Sequence, residues 1–278
     1  MKFRRNPLPK KWFENLCFFG IIVLVTFGFA CDMFILLPAV HDRNSVWYKF
    51  NIGLAVFLLY NVLGNLIACL IIDTSVDFER CKVPPEGDEA RLEWRHCLKC
   101  DGLVPPRAWH CKVCDVCILK RDHHCNITGC CVGYCNIRYF VCFILHVFYG
   151  SIYTTIYQLY YMSQRSYISL IKEVLLGPFP ILDLTVLNLL CLKFIAVYGS
   201  CVSLYYYTPL VLQGTVRFDR GKHNKYNCGL AYNLKSVFGE RMLWVLLSPL
   251  LTSKLPTDGC SFKTNSAHLS SANEIIAV

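Results

Sequence analysis

Four long apolar stretches constrain the fold of this chain more than any other feature of its sequence. An α-helix needs about 20 apolar residues to cross the roughly 30 Å hydrocarbon core of a bilayer. The composition agrees, because 55% of the 278 residues are hydrophobic and only 17% are charged. The sequence therefore predicts an all-α polytopic membrane protein with four transmembrane helices. The predicted spans are Leu16–Leu37, Ile52–Ile72, Phe140 to about Met162, and about Leu187 to Leu212.

Lys and Arg residues near the span ends predict how the chain is oriented. The tail before the first span contains five basic residues, whereas the short segment after that span contains only Arg43 and Lys49. Positive flanks stay in the cytosol, so both tails and the loop between spans two and three are expected there. Lys193, inside the fourth span, is expected to extend toward the headgroups. The predicted division is a basic tail 1–15, spans one and two in 16–72, a cysteine-rich loop 73–139, spans three and four in 140–212, and a tail 213–278.

The formal net charge of +9 raises the question of which partner the basic residues meet. These residues lie beside hydrophobic runs and are not interleaved with exposed aromatic residues, a pattern that does not favour nucleic acid. The anionic surface of a membrane is the expected counterpart. The sequence therefore predicts a bilayer as a partner and no nucleic acid.

Eighteen cysteines are present, and nine of them lie between Cys97 and Cys135. The cytosol keeps thiols reduced and disfavours disulfides. Three C-x2-C pairs in this window are typical of tight turns that bring two thiolates to one zinc ion. The loop contains enough Cys and His residues for two tetrahedral zinc sites; the alternative is that the cysteines are simply buried apolar residues. No internal repeat is recognised.

The stretch RDHHCNITGCC, residues 121–131, contains groups for two kinds of chemistry. Its His and Cys residues are ordinary zinc ligands. A Cys thiolate is also a nucleophile when a neighbouring His accepts its proton and an Asp orients that His. Asp122, His123, His124 and Cys125 are consecutive in the chain. From the residues alone, catalysis and a purely structural role both stay open.

Residues 97–140 resemble the DHHC family of protein S-acyltransferases, also called palmitoyltransferases. The place of the loop between spans two and three of four also fits that family. The family pattern is met by Cys97, Cys100, Pro105, Arg107, His110, Cys111, Cys114, Cys117, Asp122, His123, His124, Cys125, Cys131, Gly133, Asn136 and Phe140. The family's tail motif is resembled by Tyr226, Gly229, Asn233, Phe238 and Gly239.

The resemblance implies two structural zinc ions and a separate catalytic group. One ion would be bound by Cys97, Cys100, His110 and Cys117. The other would be bound by Cys111, Cys114, His124 and Cys131. This assignment leaves Cys125 as the nucleophile that accepts the acyl group, with His123 as its general base and Asp122 as the residue that orients His123.

The function that the resemblance implies is protein S-acyl transfer. A long-chain acyl group, such as palmitoyl, would pass from acyl-CoA to Cys125 as a thioester and then to cysteines of membrane-associated substrate proteins. The family also implies a location in the ER or Golgi membrane, with the cysteine-rich module in the cytosol. The alternative is a non-catalytic, membrane-anchored zinc module that acts as a scaffold or recruits partners.

Several positions depart from the family pattern. The T-T-x-E motif that follows the last span is replaced by GTVR, with Arg217 in place of Glu. The Asp-Pro-Gly that follows span two is represented by DTS at residues 73–75. Asn126 and Ile127 replace the usual Pro-Trp, and Cys130 occupies a position that is commonly Asn. None of these residues is an expected zinc ligand or a member of the catalytic group.

Overall fold

The computed structural model describes residues 2–164, 181–219 and 225–265. The first helix continues through a π-helical turn, Asp32–Leu36, into a last α-helical turn, Leu37–Val40. The helices are α1 (Trp12–Cys31), α2 (Val46–Ile71), α3 (Ile137–Ser163), α4 (Ile181–Leu212) and α5 (Leu230–Phe238).

Four helical segments among the described residues are long and apolar enough to cross a bilayer. They are Trp12–Val40, Val46–Ile71, Ile137–Ser163 and Leu184–Leu212, with mean hydropathies of 2.4, 2.2, 1.5 and 1.7. Large apolar side chains such as Phe34 and Ile195 are 78% and 67% exposed, which suits lipid and not water. The predicted fold class, four spans with a cysteine-rich loop between the second and the third, is confirmed. The residue bounds of the predicted division stay a prediction.

The described residues form two compact units. The first unit takes its described residues from Met1–Phe19, Gly64–Val141 and Tyr205–Val278. It therefore contains the cysteine-rich loop, both tails and one end of each membrane helix. The second unit takes its described residues from Gly20–Leu63 and Cys142–Leu204, which are the remaining parts of the four membrane helices.

Lys193 in the second unit does not extend toward the headgroups, so that prediction is wrong. Its Nζ lies 2.7 Å from Oδ1 of Asp32, and the two side chains are only 11% and 10% exposed. An ionised group among membrane helices is costly unless an opposite charge faces it, and the ion pair meets this need. Both residues line a cavity of about 170 Å³ whose other walls are mostly apolar.

Three short antiparallel hairpins form the cysteine-rich loop in the first unit. Each hairpin brings the last residue of one strand opposite the first residue of the next, as Cys97 opposite Gly102, Cys111 opposite Val116 and Cys125 opposite Cys130. The strands are β1 (Arg95–Cys97), β2 (Gly102–Val104), β3 (Trp109–Cys111), β4 (Val116–Ile118), β5 (His123–Cys125) and β6 (Cys130–Val132).

The three hairpins are copies of one 14-residue unit, so the prediction of no internal repeat is wrong. A His-Cys pair ends the first strand of each copy, at residues 96–97, 110–111 and 124–125. A turn residue with positive φ follows four residues after the cysteine: Asp101 (48°), Asp115 (57°) and Gly129 (63°). Asp and Gly tolerate this left-handed conformation better than most residues. The third copy escapes recognition because Thr128 and Gly129 replace the Cys-Asp of the other two.

Cys81 and Cys260 form a disulfide, which differs from the expectation of reduced thiols. The two residues lie in one apolar cluster with Val104 and Tyr134, where the segment near Phe262 packs against the cysteine-rich loop. They are 179 residues apart in the chain, and no spacing pattern in the sequence connects them.

Candidate active site and metal sites

The eight predicted zinc ligands are gathered into two groups with the membership that the family resemblance implies. The ligand atoms within each group all lie within 4.8 Å of one another. A tetrahedral zinc ion with bonds of about 2.1–2.3 Å holds its ligand atoms roughly 3.5–3.8 Å apart. The His Nδ1 atoms lie 3.3–4.0 Å from sulfur atoms of their groups, so each group is able to bind zinc. The first ligand group is Cys97, Cys100, His110 and Cys117, and the second ligand group is Cys111, Cys114, His124 and Cys131.

Each ligand group joins two successive copies of the hairpin. Two of its cysteines come from the turn of one hairpin, and its His and third Cys are a directly opposite pair in the next hairpin. For the first group that pair is His110 opposite Cys117, and for the second it is His124 opposite Cys131. Three hairpins in a row therefore make two groups and no more.

The first and the last of the three hairpins each have one residue, His96 and Cys125, that belongs to neither ligand group. His96 of the first hairpin stands opposite Leu103, and no earlier hairpin offers it a pair of cysteines. Cys125 of the last hairpin has the same place in its turn as Cys97 and Cys111, but no later hairpin offers it a His-Cys pair. Cys125 is consequently a free thiol at a position where the other copies have a metal ligand.

The third hairpin presents different chemistry on its two faces. Successive side chains of a strand point to opposite faces, and directly opposite residues share a face. His124 and Cys131 therefore lie on the face of the second ligand group. His123 and Cys125 lie on the other face, together with Cys130.

Asp122, His123 and Cys125 form a connected series of side chains. His123 Nδ1 lies 3.0 Å from Oδ2 of Asp122, and His123 shares a face of the hairpin with Cys125, where each group shifts the pKa of the other. Asp122 is fully buried, and its Oδ1 accepts a hydrogen bond of 2.7 Å from the backbone N–H of Arg217. The carboxylate therefore has partners on both oxygens.

The electrostatics of this series favour a thiolate beside an imidazolium. Burial opposes the charge on each group, but the hydrogen bond and the charge of Asp122, together with those of Cys125, raise the pKa of His123 to about 9. Burial likewise opposes the Cys125 thiolate, but His123 and donors from Thr128 bring the pKa of Cys125 below the ordinary thiol value. Burial also opposes the Asp122 carboxylate, yet its bond to His123 lowers its pKa.

Two residues of the site were not expected from the sequence. Thr128 is fully buried, and it lowers the pKa of the Cys125 thiol. Its sequence signal is its place in the repeat, where the first two hairpins have Cys100 and Cys114. The Tyr207 hydroxyl lies 3.0 Å from His123 Nδ1. Tyr207 comes from the end of α4, among other tyrosines, and no sequence signal marks it.

The departure at Arg217 leaves its contact with the site intact, because the contact uses the main chain. The backbone N–H of residue 217 binds Asp122 whatever its side chain is. The segment is held in place by Arg107, which forms an ion pair with Asp219 and donates a hydrogen bond of 3.0 Å to the Gly214 carbonyl. Asn233 of α5 donates to the Leu212 carbonyl at 2.7 Å and so fixes the end of α4.

The other departures from the family pattern are either exposed beside the site or buried next to it. Ile127 is 46% exposed, and Asn126 is exposed beside it. Cys130 is fully buried, with its Sγ 3.3 Å from the Cys69 carbonyl. Thr74, within the DTS segment, accepts a hydrogen bond from the backbone N–H of Cys135 at 3.1 Å.

Basic residues near the site are engaged inside the protein. Lys120 is 2% exposed, and burial, followed by the charge of Arg107, lowers its pKa to about 7. Arg138 is buried and donates to the Leu251 carbonyl at 3.0 Å, while Arg121 donates to the His110 carbonyl at 3.2 Å. These contacts give Arg138 and Arg121 structural roles in the first unit.

Residues 91–224 match the model of the DHHC palmitoyltransferase family. This range includes Asp122, His123, Cys125 and both ligand groups. A zebrafish (Danio rerio) protein named probable palmitoyltransferase ZDHHC24 is 31% identical over 245 residues, covering 81% of each chain. The mouse protein of that name is 33% identical over 226 residues, covering 77% of this chain and 78% of its own.

The chain belongs to the DHHC palmitoyltransferase family. The human protein of the same name is similar to it at 34% identity over 227 residues, covering 77% of this chain and 78% of the relative. The protein is therefore a multi-pass membrane enzyme of the S-acyltransferase class. Its family implies acyl-CoA and protein cysteines as reactants.

The lowered pKa of Cys125 predicts its reactivity with pH. Iodoacetamide reacts with the thiolate, so labelling of Cys125 should reach half of its maximal rate at a pH below the pKa of an ordinary thiol. Cys228 is an internal control, because burial raises the pKa of its thiol, and its midpoint should lie above that of Cys125. Mass spectrometry of peptides labelled between about pH 6 and pH 10 measures both midpoints. Equal midpoints, or a reversed order, would contradict the thiolate–imidazolium pair.

Proposed function

We propose that this DHHC palmitoyltransferase transfers its acyl group through a thioester on Cys125. The observation that carries the proposal is the position of Cys125 at the end of the hairpin series. Its equivalents in the first two hairpins are in ligand groups, whereas Cys125 is left free, on the same face as His123, which lowers the pKa of its thiol. A free thiol with a lowered pKa beside an oriented imidazole has the properties of an acyl-accepting nucleophile.

The first step forms the acyl-enzyme. The Cys125 thiolate attacks the carbonyl carbon of the acyl-CoA thioester, and the bond to the CoA sulfur breaks. His123, which holds the proton that came from the Cys125 thiol, gives that proton to the leaving CoA thiolate. Asp122 stabilises the imidazolium and keeps the His123 ring in one orientation.

The second step transfers the acyl group to a substrate protein. His123, now neutral, takes the proton from the substrate cysteine, and the resulting thiolate attacks the Cys125 thioester. Cys125 leaves as a thiolate next to the protonated His123, so the enzyme returns to its starting state. Both steps exchange one thioester for another, and their balance requires neither an oxidant nor a hydrolytic water.

In this proposal zinc has a structural role and takes no part in the acyl transfer. Zinc bound by the two ligand groups would supply folding free energy to the hairpins. The thiolate and imidazole donors fit that ion, and all four donors of each group are protein atoms. Residues on the opposite face of the third hairpin carry the proton and the acyl group.

The membrane spans suit an acyl donor with one polar and one apolar end. Each fatty-chain methylene that leaves water contributes about 0.8 kcal/mol, so we propose that the chain lies among the spans and the CoA headgroup in water. In this proposal the cysteine-rich module and both tails lie in the cytosol, and the spans lie in the ER or Golgi membrane. A non-catalytic scaffold is the weaker alternative. Asp122 keeps its contacts with His123 and with the backbone N–H of Arg217 despite the departures from the family pattern.

The proposed nucleophile predicts the outcome of acyl labelling. Cells that express the wild type and receive a clickable palmitate analogue should show a hydroxylamine-sensitive label on the protein. Cys125→Ser should remove that label, because the serine hydroxyl has a far higher pKa than the Cys125 thiol and stays protonated. Cys130→Ser is the matched control, since Cys130 faces Cys125 across the hairpin and has no role in the transfer. Label that survives in Cys125→Ser and vanishes in Cys130→Ser would refute the assignment.

The main-chain contact at residue 217 predicts a difference between two substitutions. Arg217→Ala keeps the N–H that binds Asp122, so the rate of acyl-enzyme formation should stay close to that of the wild type. Arg217→Pro removes the N–H. A hydrogen bond to a charged group contributes about 1.5–3 kcal/mol, so the rate should fall by about 10- to 100-fold. Equal loss in both variants, measured with purified protein and labelled palmitoyl-CoA, would show that the side chain matters instead.

A further inference from the structure

The N-terminal tail surrounds the second ligand group, although its sequence suggested only a role in membrane orientation. Arg4 Nη2 lies 3.4 Å from the Cys131 carbonyl oxygen. Lys10 Nζ donates a hydrogen bond of 2.7 Å to the Cys114 carbonyl. Glu14 Oε1 lies 3.1 Å from His124 Nε2. Three of the four members of this group are therefore contacted by residues 4–14.

The tail reaches this position through backbone contacts with the end of α2. Residue Phe3 pairs with Ile72 in an antiparallel bridge, and the Arg4 N–H donates to the Ile71 carbonyl at 2.8 Å. Pro9 then packs on the turn of the third hairpin. A Cβ atom at Gly129 would lie 2.2 Å from the Pro9 ring, so only glycine allows this close approach.

Glu14 is the most unusual member of the tail, because its carboxylate is almost wholly buried. The side chain is 1% exposed, and Oε2 has no hydrogen-bond partner among the described residues. A buried carboxylate costs several kcal/mol unless it meets donors or positive charge. Glu14 lies in the first turn of α1. Its Oε1 atom meets the imidazole of His124.

The two nitrogens of His124 face different partners. Nδ1 lies 3.7 Å from Cys111 Sγ, 3.4 Å from Cys114 Sγ and 3.7 Å from Cys131 Sγ, where a bound ion would sit. Nε2 faces Glu14. This division requires the tautomer in which Nε2 carries the proton and Nδ1 offers a lone pair.

We infer that Glu14 is a positioning residue for the second zinc site. Its carboxylate accepts the Nε2–H bond of His124, fixes the tautomer and aims Nδ1 at the ion. Carboxylates that bind the far nitrogen of a zinc-ligating His typically change metal affinity by about 10- to 100-fold. The negative charge that Glu14 adds to a three-thiolate site is offset by the tail itself, since Lys11 Nζ lies 3.9 Å from Glu14 Oε1. The inference rests on the zinc binding proposed above.

The first ligand group provides a matched comparison within the same chain. His110 also directs Nδ1 toward sulfur, 3.3 Å from Cys100 Sγ. Its Nε2 lies 3.5 Å from Oδ1 of Asp115, whose side chain is 74% exposed. Water screens and replaces an exposed carboxylate at little cost, so Asp115 should matter far less to its site than Glu14 does to the second.

Site-resolved thiol protection tests the inference. The full-length wild type, Glu14→Gln, Glu14→Ala and Asp115→Gly are purified in detergent and treated with a zinc chelator and N-ethylmaleimide. Mass spectrometry then gives a modification rate for each cysteine. In Glu14→Ala, Cys111, Cys114 and Cys131 should react about 10- to 100-fold faster than in the wild type. Cys97, Cys100 and Cys117 should keep their wild-type rates.

The remaining variants separate positioning from general stability. Glu14→Gln keeps an oxygen that accepts the His124 bond but loses the charge, so its rates should lie between those of the wild type and Glu14→Ala. Asp115→Gly, which keeps the positive φ of that turn, should leave Cys97, Cys100 and Cys117 close to their wild-type rates. Equal acceleration at all six cysteines would mean that Glu14 only stabilises the fold, and unchanged rates in both Glu14 variants would also overturn the inference. None of these readouts depends on acyl transfer, so failure here is distinct from failure of the thioester mechanism.

Discussion

The alternation of side chains along a three-residue strand is the constraint on which this active site depends. In β5, His124 and the residues beside it must point to opposite faces. The face of His124 continues into a ligand group, and the face of His123 and Cys125 contains the proposed catalytic side chains. The proposed metal site and the proposed nucleophile therefore occupy consecutive residues without competing for the same groups.

The rest of the first unit fixes this hairpin from both sides. On the metal face, the N-terminal tail contributes Glu14 and the carbonyl contacts of Arg4 and Lys10. On the catalytic face, the end of α4 contributes Tyr207, and the segment that follows contributes a backbone N–H to Asp122. Segments at the start of the chain and around the end of α4 thus take part in positioning residues that lie near the middle of the sequence.

Much of the fold follows from local sequence signals. Hydropathy predicts the four spans because a bilayer imposes a length and a composition on each helix. The grouping of the zinc ligands follows from spacing only through the family resemblance, and the 14-residue repeat explains that spacing physically. The repeat is difficult to recognise in the sequence because its third copy has Thr128 and Gly129 where the others have Cys and Asp.

The contacts that escaped prediction join residues far apart in the chain. Lys193 with Asp32, Glu14 with His124, and Cys81 with Cys260 are separated by 161, 110 and 179 residues. Each depends on tertiary packing, and no periodicity or motif records it. At Arg217 the departure from the family motif leaves the contact with Asp122 in place, because that contact belongs to the main chain.

The zinc content of two single variants, measured in purified full-length protein, tests the separation of the two faces most directly. The account predicts two zinc ions per chain in His123→Ala, as in the wild type, and the loss of one zinc ion in His124→Ala. Equal loss in both variants, or a loss confined to His123→Ala, would show that the third hairpin does not divide metal binding from acyl transfer.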